Sequence, residues 1–162
     1  AEAALASMAD PVVVVTGARA EAVDTALEGL AVQRVHNSGF ADGLSTSLKR
    51  GLESLPDDVD AAVILLADMP GVDAATVDRL IANFDPEAGA LIVLPTFEGK
   101  RGNPVLWSRR LFPDLMAVTG DTGGRHLIGA NREAVVEVEV GPAVVHDVDT
   151  PEALAAAGGQ LD

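Results

Sequence analysis

Short apolar runs alternate with helix-length segments along this chain, and that alternation limits the fold more than any other feature. Three of the runs, residues 12–15, 61–66 and 91–95, contain no polar side chain. Strands buried on both faces of a parallel sheet have this composition, whereas half-exposed strands alternate polar and apolar residues. The pattern therefore predicts one α/β domain whose helices cover a sheet of buried strands.

The remaining segments extend this pattern from one end of the chain to the other. Asp73 occupies a plausible N-cap, and the alternation of Val with Glu at 135–140 is typical of a half-exposed edge strand. Residues 96–103 are expected to form a polar loop. We predict further strands at 32–35 and 104–107, and helices at 1–6, 21–30, 44–55, 74–84 and 109–118, with a last helix opening at 150–152.

Composition narrows the classes of function. The chain has 162 residues, enough for one domain, and its 25 acidic and 11 basic residues give a net charge of −14. This charge disfavours a duplex nucleic-acid partner, which needs a basic face. The absence of cysteine excludes disulfides and thiol chemistry and is consistent with a cytoplasmic protein. No apolar run has membrane-spanning length, so no membrane partner is expected.

Asp68 is the first candidate site residue. It follows the apolar run 61–66 and precedes Pro70, which forces the backbone out of the sheet. Open α/β sheets bind ligands at the carboxyl ends of their strands, so Asp68 stands where a metal or phosphate site is expected. The alternative is an ordinary carboxylate that caps the next helix.

A polar, glycine-containing segment at 37–47 leads into a predicted helix. Gly43 would let a ligand approach the backbone, and amides at a helix start favour anions. Asn37 and Ser45 are the candidate polar contacts in this segment. The alternative is a simple loop in which Ser45 caps the helix.

Two further loops carry basic residues. Lys100 and Arg101 lie on a glycine-flanked loop that ends at Asn103, and adjacent cations can grip a phosphate group. Arg125 lies in the first turn of a predicted helix, where an anion is expected nearby because a cation is otherwise unfavourable there. The alternatives are solvated surface charge for the first loop and, for Asp121 in the second, a plain cap or turn residue.

Asp147 and Asp149 repeat the arrangement seen at Asp68. A short apolar segment ends in carboxylates, and Pro151 follows two residues after Asp149. If this segment lies near Asp68, two carboxylates can share one Mg²⁺, a hard cation that prefers oxygen ligands. Helix capping by Asp149 is the alternative, and it is compatible with the first role.

Together these segments resemble one family, the molybdenum cofactor cytidylyltransferases, which are relatives of the molybdopterin guanylyltransferases. Similar motifs occur there in the same order, and the resemblance covers nearly the whole chain. The segment 37–48 also resembles the second nucleotide-contacting loop of that family. The other motifs are Leu-Ala-Asp-Met-Pro at 66–70, Gly-Lys-Arg-Gly-Asn-Pro-Val-Leu at 99–106, Gly-Asp-Thr-Gly-Gly-Arg at 120–125 and Asp-Val-Asp-Thr-Pro-Glu at 147–152.

The resemblance implies a three-layer, Rossmann-like nucleotidyltransferase fold with a mostly parallel mixed sheet. It also implies transfer of CMP from CTP to the phosphate of molybdopterin or molybdenum cofactor, with release of pyrophosphate. Asp68 is the expected principal Mg²⁺ ligand and Asp149 the second. The other implied site residues are Asn37, Gly43 and Ser45 on the nucleotide side, and Arg101, Asn103, Asp121 and Arg125 toward the acceptor, where both arginines restrain its phosphate.

One family motif does not occur in this sequence. Members of the family begin with a strand and a Gly-rich basic loop, Leu-Ala-Ala-Gly-x-Ser-x-Arg-Met-Gly, that cradles the triphosphate. Residues 1–162 are therefore expected to be a single nucleotidyltransferase-like domain, truncated at its N-terminus and catalytically incomplete. Base choice lies largely in the missing motif, so GTP-dependent or sugar-phosphate nucleotidyl transfer stays an alternative. A non-catalytic module that binds a nucleotide or pterin is a second alternative. The resemblance also implies a molybdoenzyme or its chaperone as a protein partner.

Overall fold

A computed structural model describes residues 1–121 and 124–145, so the predicted last helix, Asp147 and Asp149 lie outside the described residues. The described strands are β1 (Val13–Thr16), β2 (Gln33–His36), β3 (Ala61–Ile64), β4 (Ile92–Phe97), β5 (Lys100–Arg101), β6 (Val105–Ser108) and β7 (Val135–Glu139). The described helices are α1 (Glu2–Leu5), α2 (Ala20–Ala26), α3 (Leu44–Glu53), α4 (Ala74–Ala82), α5 (Phe112–Ala117) and α6 (Arg125–Ala130). None of these helices is both long and apolar enough to cross a membrane.

The larger sheet is mixed, as predicted. Strand β6 lies between β3 and β4 and is antiparallel to both, whereas β7 pairs parallel with β4. It follows that β3, β4 and β7 run in one direction and that their carboxyl ends share one edge. Segments that follow those three strands are therefore placed at the same edge of the sheet.

Strands β1 and β2 form a separate parallel pair. Helix α3 connects this pair to the rest of the domain, because it contacts β1 on one side and α5 on the other. One edge of β1 and one edge of β3 carry no strand partner among the described residues. Although both strands are mainly apolar, Val13, Val14 and Val15 of β1 and all of β3 are only half-buried.

The core occupies both faces of the larger sheet. Ile92 and Leu94 of β4 lie in a cluster with Leu115 of α5, whereas Val93 belongs to a second cluster with Leu80 of α4. Successive residues of a strand point to opposite faces, so a strand covered on both faces has to be apolar throughout. The predicted three-layer arrangement is confirmed.

The main error in the predicted elements concerns residues 96–103. Instead of a polar loop, β4 continues to Phe97 and turns into β5 through Glu98 and Gly99, with φ of 49° and 76°. Two residues with positive φ form the tight turn whose twist matches that of an antiparallel pair. The predicted helix at 109–118 begins with a 3₁₀ turn, Arg109–Leu111, and becomes α-helical only at Phe112.

Candidate active site

Asp68 lies on an exposed turn that follows β3 at the shared edge of the sheet. Its carboxylate has no hydrogen-bond or ion-pair partner within residues 1–121 and 124–145. The next residue, Met69, is buried in a cluster with Val72 and Val77, and this anchors the turn from below. The turn therefore holds a free carboxylate in solvent at a defined place.

Asp73, and not Asp68, caps helix α4. The backbone N–H of Thr76 donates to Asp73 Oδ1 at 2.8 Å, as the sequence predicts for an N-cap. Hydrogen bonds from the side chain and the backbone of Thr76 lower the pKa of Asp73 below its ordinary value. The alternative in which Asp68 is only a helix cap is therefore wrong, since the helix already has its cap.

A 3₁₀ turn at Pro142–Val145 lies against the Asp68 turn and against the segment that holds Asn103. A Cβ atom added at Gly71 would lie 3.1 Å from Ala143 Cβ. The Asn103 N–H donates to the Val144 carbonyl at 2.9 Å. The structure thus brings together three segments that the sequence places far apart.

Asp149 lies outside the described residues. Among the described residues no cluster of three or more acidic or histidine side chains is able to hold a metal ion.

Arg101 lies on the hairpin and forms an ion pair with Glu137 of β7. Its Nε and Nη2 atoms both lie 2.7 Å from Glu137 Oε1, and both side chains are about half-exposed. Part of the charge of Arg101 is therefore compensated within the protein. The neighbouring Lys100 is exposed and has no ion-pair partner in the described part of the chain.

Glu139 holds the turn of the same hairpin. One carboxylate oxygen accepts a hydrogen bond from the buried Thr96 hydroxyl at 2.7 Å, and the other accepts from the Glu98 N–H at 2.9 Å. These bonds, with a smaller contribution from the positive charge of Arg79, lower the pKa of Glu139. The sequence analysis did not select Glu137 or Glu139, although the Val–Glu alternation placed both carboxylates on one face of the strand.

Asn37 organises the loop in which it lies. Its side chain is 6% exposed, its Nδ2 donates to the hydroxyls of Thr46 and Ser47 at 2.9 and 3.0 Å, and its Oδ1 accepts from Gly39 N–H at 3.0 Å. The Ser45 side chain is buried too, at 1% exposure. The N-cap position of α3 belongs to Gly43, so the alternative in which Ser45 caps that helix is wrong.

The start of α3 meets the turn that contains Asp121. Leu44 N–H donates to Asp121 Oδ1 at 3.2 Å, and Ser45 N–H donates to the Gly120 carbonyl at 3.1 Å. A Cβ atom at Gly43 would lie 2.6 Å from the Gly120 carbonyl carbon. Asp121 therefore stabilises the start of α3, a helix 77 residues earlier in the chain, rather than capping the helix that follows it.

Arg125 is the first residue of α6 and is exposed, without a partner among the described residues. The preceding Gly124 packs so tightly on Trp107 that a Cβ atom would lie 2.6 Å from Trp107 Cζ2. The start of α6 is therefore fixed on the core while the Arg125 guanidinium remains in solvent. This leaves a second uncompensated cation near the turn that contacts Gly43.

The described candidates thus form two groups. Asp68, Asn103 and the Arg101 hairpin lie at the shared edge of the larger sheet. Gly43, Ser45 and Asp121 meet around the start of α3, with Asn37 behind them and Arg125 following in the same turn. The sequence motifs identified these segments, whereas their contacts appear only in the structure.

The MobA-like NTP transferase domain matches residues 1–135 of the chain. This chain belongs to that family. Its mixed α/β architecture is a nucleotidyltransferase fold, since it is similar to solved structures of such proteins. A nucleotidyl transferase from Methanothermobacter, 23% identical with a TM-score of 0.80, shares that fold.

Several relatives have solved structures or curated descriptions. The MobA-like domain is 30% identical to a homologue of Mycobacterium tuberculosis Rv0371c from Mycobacterium sp. strain JC1, with a TM-score of 0.80 over 97% of this chain and 80% of that one. Rv0371c in complex with manganese is 26% identical, with a TM-score of 0.80 over 96% and 81%. The purine catabolism protein PucB of Bacillus subtilis is 33% identical over 96 residues, or 57% of this chain and 44% of PucB. The matching region thus spans less than half the length of that curated relative.

Proposed function

We propose that this domain transfers a nucleoside monophosphate, with CTP as the favoured donor, to the phosphate of a molybdopterin-type acceptor. The observation that carries the proposal is the Asp68 carboxylate, which is exposed at the ligand-binding edge of an NTP transferase domain and free of described partners. The order of the motifs along the chain supports the acceptor class. A molybdoenzyme or its chaperone would then receive the product in the cytoplasm.

The reaction needs little acid–base chemistry from the protein. An oxygen of the acceptor phosphate, already ionised at neutral pH, attacks the α-phosphorus of the triphosphate. The bond from that phosphorus to the bridging oxygen breaks, and pyrophosphate leaves with the bonding electrons. The protein has to align two anions and offset the charge that builds on the α-phosphate.

Asp68 and Asp149 would hold a divalent cation, with Mg²⁺ favoured. An exposed carboxylate without protein partners fits such an ion, because hard cations prefer oxygen ligands that are not engaged elsewhere. The bound ion would supply charge neutralisation at the phosphate oxygens. Manganese is present in the complex of the relative Rv0371c.

The basic side chains have different parts in this proposal. Glu137 already compensates Arg101 in part, so Arg101 is oriented as well as charged. Lys100 and Arg125 carry charge that no described carboxylate neutralises. In a protein with a net charge of −14, these local cations are the groups suited to restrain an incoming phosphate.

The active unit is proposed to include one more strand and the Gly-rich loop that the family motif contains. Within residues 1–121 and 124–145, one edge of β1 and one edge of β3 have no strand partner. This supports the proposal, because half-buried valines on an open strand edge are unusual in a complete sheet. A strand bonded to those edges would bury these side chains. Its carboxyl end would then deliver a phosphate-binding loop to the ligand side of the sheet.

The test uses the full-length protein with Mg²⁺, a molybdopterin acceptor and each of the four nucleoside triphosphates. Pyrophosphate release should be fastest with CTP. Asp68→Ala should abolish turnover without loss of folding, since the side chain is exposed and bonds to no described group. Asp58→Ala, which removes another exposed carboxylate without a described partner, is the matched control and should keep full activity.

The outcomes separate the alternatives. Undiminished turnover in Asp68→Ala would remove the metal assignment. Preference for GTP, or for a sugar phosphate as acceptor, would keep the reaction class and change the substrate. Binding of a nucleotide or pterin without any pyrophosphate release would identify a binding module instead.

A further inference from the structure

Phe40 is exposed at the ligand-binding side of the β1–β2 pair. It opens a 3₁₀ turn, Phe40–Asp42, that follows the carboxyl end of β2, and 43% of its surface is accessible to solvent. Leu44, at the start of α3, is 50% exposed. These two large apolar side chains flank Gly43 in the loop that precedes α3. Apolar side chains that remain in solvent beside a candidate site are candidates for ligand contact.

The Cβ and Cγ atoms of Phe40 pack closely against the backbone at Gly17. A Cβ atom at Gly17, the residue after β1, would lie 2.9 Å from Phe40 Cβ and 3.2 Å from Phe40 Cγ. The absence of a side chain at Gly17 thus allows Phe40 to pack against the carboxyl end of β1. The hydrogen bonds from Asn37 to Thr46 and Ser47 fix the rest of the loop.

A fixed aromatic side chain with exposed surface at the carboxyl ends of two parallel strands is placed to bind a planar ring. Open α/β sheets bind their ligands at this edge, and an aromatic side chain offers a face on which any flat heterocycle stacks. Because the loop is already ordered, binding would cost little conformational entropy.

We propose that Phe40 is a ligand-contacting residue that stacks on the planar heterocyclic ring of a substrate. This inference rests on the proposed function, which supplies two such rings, the base of the nucleoside triphosphate and the pterin of the acceptor. A second copy of the chain is a less favourable binding partner for the exposed surface of Phe40, because two molecules of charge −14 repel each other. Two flanking side chains also offer far less area than the roughly 800 Å² per partner of a stable protein interface.

The experiment measures equilibrium binding to the full-length wild type and to Phe40→Ala, with Mg²⁺ present. The probes are CTP, neopterin and inorganic tripolyphosphate, which has the phosphates but no ring. Loss of one stacking contact should weaken the binding of the ring-bearing probe by about tenfold, which is within the range of base–aromatic stacking, and should leave the binding of tripolyphosphate unchanged. Phe40→Tyr should bind like the wild type because it keeps the aromatic face. Met8→Ala is the matched control, since Met8 is a large exposed side chain three residues after the end of α1.

Each result decides one point. Weakened CTP binding assigns the ring to the base, and weakened neopterin binding assigns it to the acceptor. Equal affinity of Phe40→Ala and wild type for both ring-bearing probes overturns the inference and leaves the proposed reaction standing. An absence of turnover together with a Phe40-dependent loss of ring binding overturns the proposed reaction and keeps the stacking site. A change of oligomeric mass in Phe40→Ala with unchanged ligand affinity also overturns the inference, in favour of a second copy.

Discussion

Replacing Gly43 by alanine tests whether the loop before α3 and the turn at Gly120–Asp121 are in contact in solution. Gly43 has φ of 107° and ψ of 168°, a region that is essentially restricted to glycine, and forcing alanine into it costs about 1–3 kcal/mol. The new Cβ atom would also lie 2.6 Å from the Gly120 carbonyl carbon, 2.8 Å from its oxygen and 2.9 Å from Asp121 Oδ1. Overpacking of this kind costs about 1–3 kcal/mol.

The two costs together predict a loss of roughly 2–6 kcal/mol in the free energy of unfolding, a large part of the roughly 5–15 kcal/mol typical of a domain. Gly89→Ala is the matched control. Gly89 has φ of 88°, but no atom lies within 4 Å of its added Cβ, so only the backbone cost applies. Urea unfolding followed by circular dichroism gives both free energies.

The difference between the two variants reports mainly the packing contribution, because both substitutions place alanine at a positive φ and only Gly43→Ala adds a close contact. We expect Gly43→Ala to be less stable than Gly89→Ala by about 2 kcal/mol, which corresponds to a melting temperature lower by about 4–8 °C in a domain of this size. If the two variants lose the same free energy, the close contact between Gly43 and Gly120 does not exist in solution. The proposed meeting of these two loops would then be refuted.

Two further predictions concern stability. Glu139→Gln should lower the urea midpoint near pH 7, and its difference from wild type should shrink as the pH falls. The pKa of Glu139 in the folded protein lies below its ordinary value of 4.5, so the ionised carboxylate stabilises the fold above pH 4.5. That contribution is lost as the pH falls through the folded pKa. Glu133→Gln removes another exposed carboxylate without a described partner and is the matched control for the loss of one charge. A difference between Glu139→Gln and wild type that stays constant with pH would contradict the linkage. Gly124→Ala should destabilise the domain and perturb the fluorescence of Trp107, its only tryptophan, because the added Cβ would lie within 2.8 Å of two ring atoms. Gly129→Ala, in the same helix with open space around it, should instead stabilise by about 0.5–1 kcal/mol, and equal effects of the two changes would argue against the packing of α6 on Trp107.

Local sequence determined much of the fold. The apolar runs became β1, β3 and β4, and the Asp73 N-cap marked the start of α4, because strand burial and helix capping depend on neighbouring residues. The place of Asp68 was predicted in the same way, from a buried run followed by a carboxylate and proline. The hairpin at Glu98–Gly99 was missed, because positive φ at Glu98 is uncommon for a residue with a side chain.

Only the tertiary structure decided which of these segments meet. Asp121 bonds to the start of α3 across 77 positions, and Glu139 bonds to Thr96 across 43. Such pairs leave no local pattern, since each depends on the path of every strand and helix between its members. The sequence by itself thus determined which residues carry charge at strand ends and loops. The packing of the sheet decided that Asp121 supports α3, that Arg101 is partly neutralised by Glu137 and that Asp68 remains free among the described residues.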